Sequence, residues 1–214
     1  MMIAKFIDHT VLKPDSTESD VEKVCAEARQ HGFASVCILP WHVHRAWEEL
    51  AGTDVAVCTV VGFPLGATVT SMKVAEALAA MEQGATEIDM VAAITALKSK
   101  RYDDVFKDIR AVTEAVHERG GIVKVIIETC LLDQDEKKRM CAAVTQAGAD
   151  FIKTSTGFST GGATIADVRF LREHVGPAVR VKASGGIRDK ETALAMIDAG
   201  ASRLGTSSGV LIVS

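Results

Sequence analysis

Two lysines stand where short apolar runs end. Lys153 closes Asp150-Phe-Ile-Lys-Thr, and Lys182 closes Val179-Arg-Val-Lys-Ala-Ser. A lone ammonium late in a buried strand is costly, so each lysine needs a carboxylate partner or a chemical task. Asp89, inside Glu87-Ile-Asp-Met-Val, and Glu128 are candidate partners, and simple ion pairing is the plainer reading of either lysine alone. Two lysines on successive strands alter that balance, because both can point into one space. An ammonium ordinarily keeps its proton up to about pH 10.4, and a free amine at neutral pH requires roughly 4 kcal/mol of destabilisation. A second ammonium ~4 Å away supplies ~4 kcal/mol at an effective dielectric of ~20. The pattern points to a nucleophilic amine.

Phosphate chemistry is the second signal. Ser184-Gly185-Gly186-Ile187-Arg188 follows the Lys182 strand, and Gly205-Thr206-Ser207-Ser208-Gly209 follows the last strand. Glycines let backbone N–H groups approach a phosphate, and hydroxyls complete the cradle. Either loop alone is common; together, after the last two strands, they favour a phosphate site that Gly157 and Ser159 widen. Asp8 and Thr10 follow the candidate first strand. His42 and His44 offer a His-x-His pair, but that spacing splits the two rings between faces of a helix, and solvated surface histidines are the expectation. No metal ligand set is assigned. Trp41 and Trp47 are read as packing residues, and Cys37 as a core residue whose thiol would be a liability near a reactive aldehyde.

The elements that must position these groups are legible from a recurring joint of helix, glycine and short apolar strand. It occurs at Gly32, Gly84, Gly148 and Gly200, with weaker versions at Gly52, Gly121 and Gly176. Thr17-x-x-Asp20, Asp133-x-x-Glu136 and Thr164-x-x-Asp167 open helices, and Tyr102, Val105, Phe106, Ile109, Val112 and Val116 mark a longer one. Strands are expected at 35–39, 55–61, 87–91, 123–127, 151–154, 179–182 and 203–206, with 6–9 as an eighth. Eight βα repeats in a single domain spanning 1–214 predict an α/β TIM (β/α)8 barrel. The competing doubly wound sheet usually opens with Gly-x-Gly-x-x-Gly, where this chain has Leu12-Lys13-Pro14-Asp15.

Composition narrows the partners. The 214 residues carry 24 Lys+Arg against 28 Asp+Glu, a net charge of −4, and 48% are hydrophobic. That supports one substantial core and argues against nucleic-acid or anionic-membrane binding. No apolar run approaches the ~18 residues of a membrane span, and the first nine residues do not read as a signal peptide. Five cysteines without a Cys-x-x-Cys spacing read as reduced thiols of a cytoplasmic protein.

At these residues a resemblance becomes plain. Ile7-Asp-His-Thr-Val-Leu-Lys-Pro, Cys58-Thr-Val-Val-Gly-Phe-Pro-Leu-Gly-Ala-Thr, Glu87-Ile-Asp-Met-Val, Lys124-Val-Ile-Ile-Glu-Thr, Phe151-Ile-Lys-Thr-Ser-Thr-Gly and Lys182-Ala-Ser-Gly-Gly-Ile-Arg resemble the deoxyribose-phosphate aldolases. The resemblance implies a class I aldolase with no metal or other cofactor, cleaving 2-deoxyribose 5-phosphate reversibly to acetaldehyde and glyceraldehyde 3-phosphate. It makes Lys153 the Schiff-base lysine, Lys182 its activating neighbour and Asp89 the proton donor and acceptor. Substrate contacts are expected from Asp8, Thr10, Thr154 and Gly157, and from Gly185, Gly186, Arg188, Gly205, Ser207 and Ser208. The expected partners are the phosphosugar and acetaldehyde, with a dimer or tetramer as the assembly. A related aldolase of shifted aldehyde preference and a silent phosphometabolite-binding barrel are the alternatives. Ala92-Ala93 and Leu39 depart from the family pattern, and a shortened C-terminus at Leu211-Ile-Val-Ser214 is expected to leave one side of the barrel thinly covered.

Overall fold

The computed structural model describes residues 3–214. Eight parallel strands, β1 (Ile7–Val11), β2 (Ser35–Ile38), β3 (Ala56–Val61), β4 (Glu87–Val91), β5 (Ile122–Ile126), β6 (Phe151–Lys153), β7 (Arg180–Ser184) and β8 (Arg203–Thr206), pair in chain order and close into a barrel. Each expected strand is present within one or two residues of its sequence limits. Side chains alternate between faces of a strand. In β4 that sends Ile88 and Met90 outward into the apolar layer under the helices and leaves Glu87 and Asp89 on the lumen side. The lumen of a TIM barrel is ordinarily filled by branched apolar residues. Here a small cluster of Leu12, Cys37, Cys58 and Val60 shares it with buried charges.

The outer layer is built from α1 (Glu18–His31), α2 (Val43–Glu49), α3 (Thr70–Glu82), α4 (Ile94–Lys98), α5 (Tyr102–His117), α6 (Gln134–Ala147), α7 (Ile165–His174), α8 (Lys190–Asp198) and α9 (Gly209–Val213). Both expected capping boxes form: Thr17 with Asp20 at α1, and Asp133 with Glu136 at α6. Each such cap is worth ~1 kcal/mol. Thr164 caps α7 through the Asp167 N–H. Gly32 and Gly148 end α1 and α6 in the left-handed region (φ 64° and 76°), where other residues are strained. The weaker joints differ. Gly120 takes the left-handed turn beside Gly121, and Gly121 and Gly176 serve instead as close-approach sites, where a Cβ would lie 2.7 Å from Met81 and 2.6 Å from Thr145.

Three further readings need correction. The C-terminal residues form a short helix, α9, whose Gly209 and Ile212 are buried beside α1 and β1. Trp41 is 88% exposed and packs nothing; Trp47 does pack, lying against Gly84. His42 is buried rather than solvated, whereas His44 is exposed and pairs with Glu48.

Candidate active site

The register sets Asp89 beside Lys124, and Lys153 beside Lys182. These four meet in the lumen. Asp89 Oδ2 accepts from Lys153 Nζ and from Lys182 Nζ, each at 2.6 Å, and Oδ1 accepts from Lys124 Nζ at 2.8 Å and Cys58 Sγ at 3.2 Å. Lys182 also meets Asp8 at 2.5 Å, Arg203 bridges Asp8 at 2.6 Å and Glu87 at 2.7 Å, and Lys124 reaches Glu87 at 2.7 Å. Four cations (Lys124, Lys153, Lys182, Arg203) thus face three carboxylates (Asp8, Glu87, Asp89), a formal excess of one positive charge.

Burial alone would raise the Asp89 carboxyl, but Lys124, Lys153 and Lys182 outweigh it and hold Asp89 well below the usual carboxylate range. Asp8 is likewise lifted by burial and pulled down further by Lys182, Lys124 and Arg203, to about 2. Burial pushes Lys182 and Lys124 down, yet their carboxylates prevail and both ammonium groups are held above the ordinary lysine value. This changes the two-lysine account. Lys182 is not a bare cation next to Lys153, because the Asp89 oxygen is bonded to both and Asp8 adds a second counter-charge. The excess positive charge belongs to the whole network, and Lys153 is where it meets a cavity.

That cavity, of about 1040 Å³, opens above the C-terminal ends of the strands. Lys153 lines it, the one member of the charge network to do so among the described residues, although only 3% of its surface is exposed. Thr10, Gly157, Gly185, Gly186, Arg188, Gly205, Ser207 and Ser208 all line the same space. Gly185 and Gly186 have φ of 84° and 83°, and a Cβ on Gly162 would fall 2.3 Å from the Gly185 carbonyl, so this turn requires glycine. Thr206 couples the two loops: its hydroxyl donates to the Ile187 carbonyl at 2.7 Å and accepts from the Ser208 N–H at 2.9 Å.

Asp8 and Thr154 are placed otherwise than expected. Asp8 is fully buried beneath the cavity as a partner of Lys182 and Arg203. Thr154 is also fully buried, and its hydroxyl joins β6 to β7 through the Ser184 carbonyl (3.2 Å) and N–H (3.1 Å). Both are supports rather than cavity walls. Ser159 turns away toward Cys130 at 3.4 Å. Glu128, at φ 53°, accepts from the Thr156 hydroxyl at 2.5 Å and shapes the loop after Lys153. Leu39 packs on the Cys37–Cys58 cluster, and Ala92 is buried at the end of β4.

Sequence reasoning missed Lys124, Glu87 and Arg203 as members of the site. The available signal was a charged residue in each otherwise apolar strand, at the alternation that puts it on the same side as Asp89. The residues able to hold a metal are Cys37, Cys58 and Asp89, whose ligand atoms lie within 4.8 Å of one another. With three ammonium groups already on Asp89, a divalent cation is disfavoured there. His42 and His44 join no such group among the described residues.

The chain as a whole has close counterparts in known proteins. A family model described as DeoC/LacD family aldolase matches residues 2–213. The deoxyribose-phosphate aldolase of Brevibacillus brevis is 58% identical over 215 residues, covering 100% of this chain and 96% of its own. A crystal structure from Coccidioides immitis, assigned as a deoxyribose-phosphate aldolase, superposes with a TM-score of 0.95 at 48% identity, covering 99% of this chain and 84% of that one. The deoxyribose phosphate aldolase of Aeropyrum pernix, described as a tetramer, gives 0.92 at 35% identity, with 99% and 89% covered. This chain, whose lumenal carboxylate is shared by lysines below glycine-rich loops after β7 and β8, therefore belongs to the DeoC/LacD aldolase family.

Proposed function

We propose that this aldolase cleaves 2-deoxy-D-ribose 5-phosphate reversibly to acetaldehyde and D-glyceraldehyde 3-phosphate through a Schiff base on Lys153. The observation that carries the reading is that Lys153 is both a cavity-lining residue and a partner of Asp89. Lys153 attacks the aldehyde carbon of the open-chain sugar, giving a carbinolamine and, after loss of water, a protonated imine. The imine draws electrons from the C2–C3 bond as the C3 hydroxyl loses its proton; glyceraldehyde 3-phosphate leaves, and an enamine remains. Protonation at C2 and hydrolysis release acetaldehyde.

Asp89 moves the protons, and Lys182 holds it in position. While the Lys153 nitrogen is a neutral carbinolamine, Asp89 has one cation fewer beside it and binds a proton more readily. When the charged imine forms, that proton is returned. Lys182 stays charged through Asp8 and Asp89 and keeps the Asp89 oxygen in place. The phosphate rests on the Gly185–Gly186 turn with Ser207 and Ser208, which holds the reacting carbons against Lys153 and turns binding energy into orientation.

Borohydride reduction in the presence of acetaldehyde tests the assignment. One ethyl group should appear on the peptide containing Lys153, and Lys153→Arg should be inactive yet folded, since a guanidinium forms no such imine. Label on another lysine, or none in an active preparation, overturns it. A homo-oligomer is part of the same reading, supported by exposed Trp41, Leu65, Val69 and Met72; light scattering on the eluted protein measures it. Among the described residues no helix is long and apolar enough to cross a membrane. A cytoplasmic location is proposed from the five free cysteines.

A further inference from the structure

Two thiols sit against the reacting groups without a task in this chemistry. Cys37 in β2 and Cys58 in β3 are register partners on adjacent parallel strands, and both are buried on the lumen side. Their sulfurs lie within 4.8 Å of each other and of the Asp89 carboxylate. Cys58 Sγ is 3.2 Å from Asp89 Oδ1 and accepts from Lys124 at 3.2 Å, while Cys37 Sγ is 3.9 Å from Asp89 Oδ2. Neighbouring strands run ~4.8 Å apart, which falls inside the Cα separation of roughly 4.4–6.8 Å that a disulfide requires. Rotation about the Cα–Cβ bonds is then enough to bring the sulfurs together, with the barrel intact.

We propose that Cys37 and Cys58 are an oxidisable dithiol, closed to a disulfide by a hydroperoxide entering through the substrate cavity, and that closure disarms Asp89. The pair does not line the cavity itself, but it belongs to one apolar cluster with Leu12, which does, so the cluster borders the cavity. Hydrogen peroxide is about as small as water. The Cys37 sulfur attacks one peroxide oxygen, the O–O bond breaks, and the departing hydroxide leaves as water with the thiol's proton. Cys58 then attacks the sulfenic sulfur of Cys37; the S–S bond forms, the S–O bond breaks, and a second water carries off the proton of Cys58. Two thiols and one peroxide become one disulfide and two waters.

The order of attack follows from the surroundings. The neighbouring Cys58 side chain holds the Cys37 thiol below its ordinary value, whereas burial pushes Cys58 well up. Oxidation removes the S–H donors facing Asp89 and draws the Cys58 sulfur away from Lys124, so the carboxylate keeps its ammonium partners but not its seat. The loss of activity rests on the proton-carrying role given to Asp89; the disulfide itself does not.

The test uses the full chain with Cys130, the exposed thiol, replaced (Cys130→Ser) so that surface chemistry does not intrude. After hydrogen peroxide treatment and alkylation, digestion without reductant should give peptides containing residues 37 and 58 joined and lighter by two hydrogens. Aldolase activity, relative to each sample's own untreated rate, should fall at least tenfold in the oxidised fraction and return with dithiothreitol. In Cys58→Ala the joined peptide should vanish and dimedone should label Cys37. Both cysteines remaining open to alkylation in the unfolded digest, or a link to any other cysteine, overturns the dithiol. A disulfide that forms without loss of activity leaves the dithiol standing and overturns the disarming of Asp89.

Discussion

Asp8→Asn probes the matching of the interior charges in a way that yields a number. Burial lifts the Asp8 carboxyl, but Lys182, Lys124 and Arg203 bring it from 3.8 to about 2. At about 1.36 kcal/mol per tenfold change in proton affinity, that move is worth roughly 2 kcal/mol of folding stability. The native state holds this proton more weakly than the unfolded chain does. Its contribution is therefore complete above about pH 5, falls to about half by pH 3 and is mostly gone near pH 2. Asparagine has no such dependence. Urea unfolding of both proteins at pH 6 and pH 3 should show the gap between them narrowing by about 1 kcal/mol at the lower pH. Asp89 titrates in both proteins and drops out of the difference to first order. Parallel stability curves from pH 6 to pH 3 would refute the reasoning and mean that the three cations do not act on Asp8 as their distances state.

Other expectations follow from the same geometry. Lys182→Met removes one of the ammonium groups on Asp89 and should slow imine trapping at Lys153 at least tenfold at neutral pH, with recovery as the pH rises; a loss independent of pH would assign Lys182 to proton transfer alone. Ser207→Asp places a like charge in the phosphate cradle, so KM for deoxyribose phosphate should rise tenfold or more while KM for unphosphorylated deoxyribose moves little; equal losses would move the phosphate elsewhere. Activity should survive exhaustive dialysis against EDTA, and a rate restored by Zn²⁺ would return attention to Cys37, Cys58 and Asp89.

The barrel was legible because its signals are local. Cap residues, glycine joints and β-branched runs each act over a few positions, and the strands stand within one or two residues of their expected limits. Lys153 and Lys182 were legible because an ammonium late in an apolar strand is costly. Asp8 and Thr154 were misplaced because a polar residue at a strand end can face the cavity above or the lumen below, and only closure of the barrel decides which. Lys124, Glu87 and Arg203 were missed for a related reason. Each is a tolerable charge when its strand is read alone, and each acquires meaning only when β4, β5 and β8 are brought around one axis. Trp41, a large and mostly apolar side chain, is 88% exposed, which no local rule anticipates.

The Arg203 bridge also has a bearing on when the enzyme comes into being. It joins β8 to Asp8 across 195 positions of chain, and Lys182 reaches Asp89 across 93. During synthesis, residues 1–202 already contain Lys153, Lys182 and Asp89, yet they lack the cation that balances Asp8 and Glu87 and the strand that completes the cylinder. Contacts this distant are the last to repay the entropy of closing their loops. The lumenal charge network is therefore complete only once the eighth strand has arrived.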